Sequence, residues 1–148
     1  MTASTDMQLS SLPDFVHEAF TQVIILTDDA VSDAALHKFW SPHVKESDVA
    51  TSSHLSLAGF RDVVQGIRTQ FTDRTFVKET FVIATPADPN NKAGAVAATH
   101  VFTGRQDGQR VTVTIVAVLR IKWVQEHGHH HGGRREVVTE AFIMNTSS

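Results

Sequence analysis

AVAATHVFTGRQDGQRVTVTIVAVLRIKW, residues 95–123, decides the fold. Ala95 to Thr103 is rich in small residues and Val111 to Trp123 is dense in β-branched ones, and both runs alternate with a period of two, the mark of strands. Asp107-Gly108 between them suits the positive backbone angles of a two-residue hairpin. An antiparallel pair is therefore expected here. Downstream, a loop from Glu126 to Gly133 leads to a last strand, Arg135 to Met144. Upstream, Thr75 to Ala84 reads as a strand that ends in a loop containing Pro86, Pro89, Asn90 and Asn91.

Before Thr75 the apolar period changes to 3.6. Ser11 can cap a helix with Pro13 in its first turn, and Phe15, Val16, Ala19, Phe20, Val23 and Ile24 form one face, which ends at Asp28 and Asp29. A second helix is expected from a Ser32 cap, presenting Ala35, Leu36, Phe39 and Trp40 and stopping before Pro42. Residues 43–55 read as a short strand or loop. Ser56 then caps a third helix with Phe60, Val63, Val64, Ile67 and Phe71 on its face. Helices first and an antiparallel meander after define an α+β domain, here residues 11–145 behind a loose tail of residues 1–10.

Composition narrows the function. With 148 residues, a net charge of -3 and no basic stripe, the chain lacks the clustered cations that nucleic-acid binding needs. It has no cysteine, which removes disulfides, thiolate metal sites and thiol nucleophiles, and no tyrosine, which removes phenol donors. Neither a signal peptide nor a membrane-length apolar run is legible, so a cytoplasmic protein is expected.

Strand alternation shows which polar residues share a face with apolar ones. Glu79 falls with Val77, Phe81 and Ile83; His100 with Val96, Ala98 and Phe102; Glu140 with Val138, Phe142 and Met144. A titratable group in an apolar row has a perturbed pKa if that row is covered, which makes these three the acid and base candidates. If the other face is covered, they are exposed or paired at a subunit contact. Arg120 shares the face of Val116 and Val118 and could neutralise a carboxylate or hold an enolate oxygen; a surface ion pair is the alternative. His37 and Trp40 are three apart and could face a cavity together. His127, His129, His130 and His131 have alternate spacing that could ligate a transition metal, but the glycines at 128, 132 and 133 suit a solvated hairpin tip, so no metal site is expected. Whichever row of the Val111–Trp123 strand faces away from the helices leaves apolar side chains uncovered, which predicts a homodimer.

The runs VAATHVFTG, DGQRVTVTIVAVLRIKW and REVVTEAF, together with the helix SLAGFRDVVQGIRTQF, resemble the nuclear transport factor 2-like superfamily and, within it, the SnoaL-like polyketide cyclase and isomerase branch. The resemblance implies a cone-shaped barrel, three helices over a curved antiparallel sheet, with a ligand pocket between them. It also implies that the segment after the second helix, with Asp48 and His54, contributes to the pocket. Asp48, Glu79, His100 and Glu140 then stand as catalytic candidates, and Trp40, His54, Phe102, Arg120 and Phe142 as substrate-binding ones. Members that cyclise or isomerise often carry an acid in the long central strand, whereas this chain has Ala117 there. The mechanisms of ketosteroid isomerase and scytalone dehydratase relatives, which use tyrosine donors, do not transfer. An epoxide hydrolase would need an Asp–Arg–Asp set, and only Arg120 is present. Two readings remain open. One is a cofactor-free isomerase or cyclase acting on a hydrophobic natural-product intermediate such as a polyketide or terpenoid. The other is a non-catalytic binding or dimerisation module.

Overall fold

The structure is a computed structural model that describes residues 9–84, 88–125 and 132–148. Helix α1 (Leu12–Phe20) starts at Ser11, whose hydroxyl accepts the Asp14 amide at 3.2 Å. It runs into a π-helical turn, Thr21–Ile25, that keeps Val23 and Ile24 buried in line with Val16 and Phe20. Such turns insert one residue into a helix and recur where a site needs a side chain re-aimed. The carbonyls that this ending releases are taken up by two arginines. Arg68 donates to Val23 O (3.1 Å) and Leu26 O (2.6 Å), and Arg74 to Ile24 O (2.5 Å), so buried acceptors are satisfied far from their own helix.

Helix α2 spans Asp29–Phe39 and is capped by Asp28, which accepts the amides of Ala30 and Val31. The expected Ser32 cap is displaced because Asp28 offers its carboxylate one turn earlier; Ser32 is buried and donates to Val23 O at 2.7 Å. Trp40 is not helical. With Pro42 two residues on, the backbone turns extended at Trp40 and begins β1, Trp40–Asp48. His37 stays exposed on α2, so it and Trp40 do not form a pair. A short β2, Ser53–Leu55, folds back on β1, and Ser56 caps α3, Leu57–Gln70.

Four long strands follow: β3 (Thr72–Ala84), β4 (Gly94–Gln106), β5 (Gln109–Gln125) and β6 (Gly133–Ser147). Asp107 and Gly108 both have positive φ (51° and 79°), as the β4–β5 hairpin demands. The strand order is β2-β1-β6-β5-β4-β3, an open, curved sheet. All its pairs are antiparallel except one: β1 runs parallel to β6, so the sheet is mixed rather than wholly antiparallel. The segment read as a strand or loop supplies that parallel strand.

The helices cover one face. On β5 the row Val111, Val113, Ile115, Ala117, Leu119 and Ile121 is buried, and Val116 and Val118 lie on the outer face, 41% and 54% exposed. Alternation fails in two places. In β6 the ladder pairs Ile121 with Val137 and Arg120 with Thr139, leaving Val138 as a bulge. Val137 therefore joins Glu140 and Phe142 on the inner face, where strict alternation had put Val138. A similar shift after Phe76 turns Val77 outward, and Ile83 is exposed near the end of β3. Gly104 packs closely, and a Cβ there would lie 3.0 Å from the Phe71 Cβ, so Phe71 would have to shift to admit a side chain. No helix among the described residues is long and apolar enough to cross a membrane.

Candidate functional site

A cavity of about 50 Å³ lies between α1, the π-helical turn, α3 and the concave sheet face. Most of its wall is apolar, with Phe20, Ile24, Phe60 and Phe142 among the larger contributors. Two titratable groups share the wall, His100 from β4 and Glu140 from β6, and the described wall carries no lysine or arginine. They are held in different ways.

His100 is buried and clamped. Phe20 stacks on its ring at 4.0 Å with an interplanar angle of 6°, and Phe81 meets it edge-on. Its Nδ1 lies 2.6 Å from Glu79 Oε2. A carboxylate at Nδ1 assigns the proton there and leaves the Nε2 lone pair free. The other oxygen of Glu79 is hydrogen-bonded to His17 Nδ1 from α1. Burial pushes the Glu79 carboxyl up, but the hydrogen bonds and charges of the two histidines outweigh it and hold the group below the usual carboxylate range.

Glu140 accepts the Trp40 indole N–H at 3.0 Å. The parallel β1–β6 register sets Glu46 beside it, 1% exposed, and neither Glu46 oxygen finds a donor among the described residues. Two carboxyls buried side by side cannot both ionise. Burial first, and the Glu140 charge second, push Glu46 up to about 11. Burial also raises Glu140, partly offset by the neighbouring Glu46 carboxyl, by the Trp40 N–H and by the His100 charge. The pair is thus a proton-bearing acid at neutral pH.

His100 and Glu140 do not touch. His100 pairs with Ile115 and Glu140 with Leu119, so they sit two strands and four residues apart, roughly 10 Å across the strands and 13 Å along them. Both nevertheless line the same cavity. A base at one end and an acid at the other can work on different atoms of one ligand.

The remaining candidates lie elsewhere. Asp48, two residues beyond Glu46, accepts the Ala50 amide at 3.2 Å and shapes the β1–β2 turn. His54 is exposed and meets Ser47 Oγ. Phe102 is fully buried against Phe20 and Phe71, below the cavity rather than on it. Arg120 is exposed on the outer sheet face because the covered row of β5 is the odd-numbered one; this removes the arginine that an epoxide-hydrolase site would need. The residues His127 to His131 lie outside the described residues. Glu46 was missed although it shares its face with Val44, a signal the alternation test could have found within residues 43–55. His17, on the exposed side of α1, carried no such signal.

The site is thus an apolar cavity between α1, the π-helical turn, α3 and the sheet, with a histidine and a carboxyl on its wall. No family profile matches the chain, and no curated protein does. Among solved structures it is similar to a candidate polyketide cyclase from Acidithiobacillus ferrooxidans, with TM-score 0.56 and 16% identity over 98% of this chain and 92% of that one. It is also similar to a loop-truncation variant of IdmH, with TM-score 0.54 and 16% identity over 87% and 91% of the two chains. For a nuclear transport factor 2-like protein of unknown function from Pseudomonas aeruginosa the values are 0.55 and 11% over 90% and 97%. The chain has the nuclear transport factor 2-like fold. At these identities the likeness carries the fold and not the activity.

Proposed function

We propose that the chain is a cytoplasmic, cofactor-free isomerase or cyclase that moves protons on an uncharged, hydrophobic natural-product intermediate such as a polyketide or terpenoid. The observation that carries this is a base, His100 oriented by Glu79, and an acid, Glu140 held by Trp40 and Glu46, on the wall of one otherwise apolar cavity. His100 Nε2 takes a proton from a carbon next to a carbonyl. The proton-bearing carboxyl pair donates to an oxygen at the far end of the ligand, where negative charge develops. A ligand carboxylate would meet the acid pair with no cation on the described wall to compensate it, so the reading selects neutral substrates. A candidate cyclase and a candidate ketosteroid isomerase from Parabacteroides distasonis share the fold, so the architecture is compatible with this reaction class, which rests on the site and not on the likeness. We take the exposed Val116, Val118 and Ile143 of the outer face as the contact with a second copy.

One observation favours the second reading, a binding or dimerisation module. The cavity of about 50 Å³ is far below the ~300–1,000 Å³ of ordinary ligand sites. Under the enzyme reading, the aromatic side chains around it must part to admit substrate. Replacing the native gene with His100→Ala and with Glu140→Gln, and profiling the hydrophobic metabolites, separates the two. The enzyme reading expects a lost product and an accumulated precursor in both strains. Unchanged profiles would put the module reading first.

A further inference from the structure

We infer that His17, Glu79 and His100 form a proton path from bulk water to the cavity, with His17 as its surface port; this rests on the reading of His100 as a proton-transfer group. The three side chains form an unbroken hydrogen-bonded row. His17 is 46% exposed on its side chain, Glu79 6% and His100 4%, so the row runs from solvent to the buried interior. Each link is a group that both takes and gives protons. Both contacts use Nδ1 of the imidazole, which leaves one Nε2 for the cavity and the other for water.

A carboxylate that served only to orient His100 would need one partner. Glu79 has a second, and that partner is an imidazole at the surface. Phe76 meets the His17 ring edge-on at 5.4 Å, keeping the ring over Glu79. Phe20 and Phe81 pack against the buried His100 ring, so water has little direct access to its Nδ1. The transfer balances. His100, protonated from the cavity, loses its Nδ1 proton to Glu79 Oε2. A half-turn of the carboxyl presents that O–H to His17 Nδ1, where an N–H bond forms as the O–H bond breaks. His17 then releases its Nε2 proton to water. Run in reverse, the path reprotonates His100 after it has given a proton to the ligand.

The test needs no substrate. The solvent-exchange rate of the His100 Nδ1 proton is read by water-magnetisation transfer in the ligand-free protein, for wild type, His17→Gln and His17→Phe. Gln keeps a donor to Glu79 but cannot pass a proton on, and Phe keeps the bulk. Both should slow the exchange by about 10²-fold, the lower end of what one positioned proton-transfer group contributes, while backbone amide exchange elsewhere stays unchanged. Wild-type exchange in both variants would overturn the path. Wild-type exchange in His17→Gln alone would also overturn it, because His17 would then be only a hydrogen-bond donor that holds Glu79. Slowed exchange combined with unchanged metabolites in the His100→Ala strain would leave the path standing and remove the catalytic reading.

Discussion

Glu46→Gln should make the protein less sensitive to alkali. In the fold Glu46 keeps its proton, its pKa pushed up to about 11 by burial and then by the Glu140 charge. In the unfolded chain the same carboxyl ionises near 4.5. Because the folded-state pKa is raised, the stability from this group is full below about pH 4.5 and is lost as pH rises toward about 11. Across that window the native state binds one more proton than the unfolded state, so stability falls by about 1.4 kcal/mol per pH unit. Between pH 6 and 8 the loss is about 2.7 kcal/mol. For a chain of 148 residues, with an unfolding entropy of about 2.1 cal/mol/K per residue, this lowers Tm by about 9 °C. Glutamine keeps the shape and has no proton to lose. Urea denaturation at pH 5, 6, 7 and 8 on both proteins gives the two slopes, and their difference isolates Glu46 from every other titrating group. The variant's slope should be shallower by about one proton. Equal slopes, or a variant several kcal/mol weaker at every pH, would mean that Glu46 is ionised and paired, and the buried acid would be lost from the account.

Glu79→Gln should act at the opposite end of the scale. The histidines hold Glu79 below the usual carboxylate range, so its stabilisation is present above about pH 4.5 and disappears on acidification. The variant's acid limb in a pH-dependent melting series should therefore be shallower than that of wild type, and an identical limb would contradict the clamp on His100. Arg68→Ala removes a charged donor from the carbonyls of Val23 and Leu26, leaving them Ser32 and Arg74 respectively, and should cost about 1.5–3 kcal/mol in urea denaturation. A loss below about 1 kcal/mol would show that water or Arg74 replaces it. Val118→Lys should shift the sedimenting species from dimer to monomer, because it places a charge in the middle of the exposed apolar row. A wild-type monomer at micromolar concentration would contradict the second copy.

The strands and the hairpin were legible because their signals are local. Asp107-Gly108 encodes its own turn, and the period-two runs read as strands lie within β4 and β5. The covered face was not legible, because two apolar rows compete on β5 and only the docked helices choose between them. That choice separates Arg120, which faces out, from His100 and Glu140, which face in. The bulge at Val138 was hidden for a related reason: one extra residue changes the parity of everything before it, and no local residue type announces it. Glu46 and the parallel β1–β6 pairing escaped together. Residues 43–55 are polar enough to read as a loop, and only the long-range register sets Glu46 beside Glu140.

Acid–base chemistry in the cavity is tested by deuterium uptake into a panel of uncharged, hydrophobic cyclic ketones incubated with the protein in heavy water and read by mass spectrometry. Proton abstraction next to a carbonyl registers there even when no net product forms. Wild type should speed uptake into at least one of the ketones. His100→Ala and Glu140→Gln should each lower that rate by about 10²- to 10⁴-fold while the ketone still binds, since the apolar wall supplies most of the affinity. Ketone binding with no uptake above the protein-free rate, or uptake that survives both substitutions, would contradict the acid–base reading of this cavity.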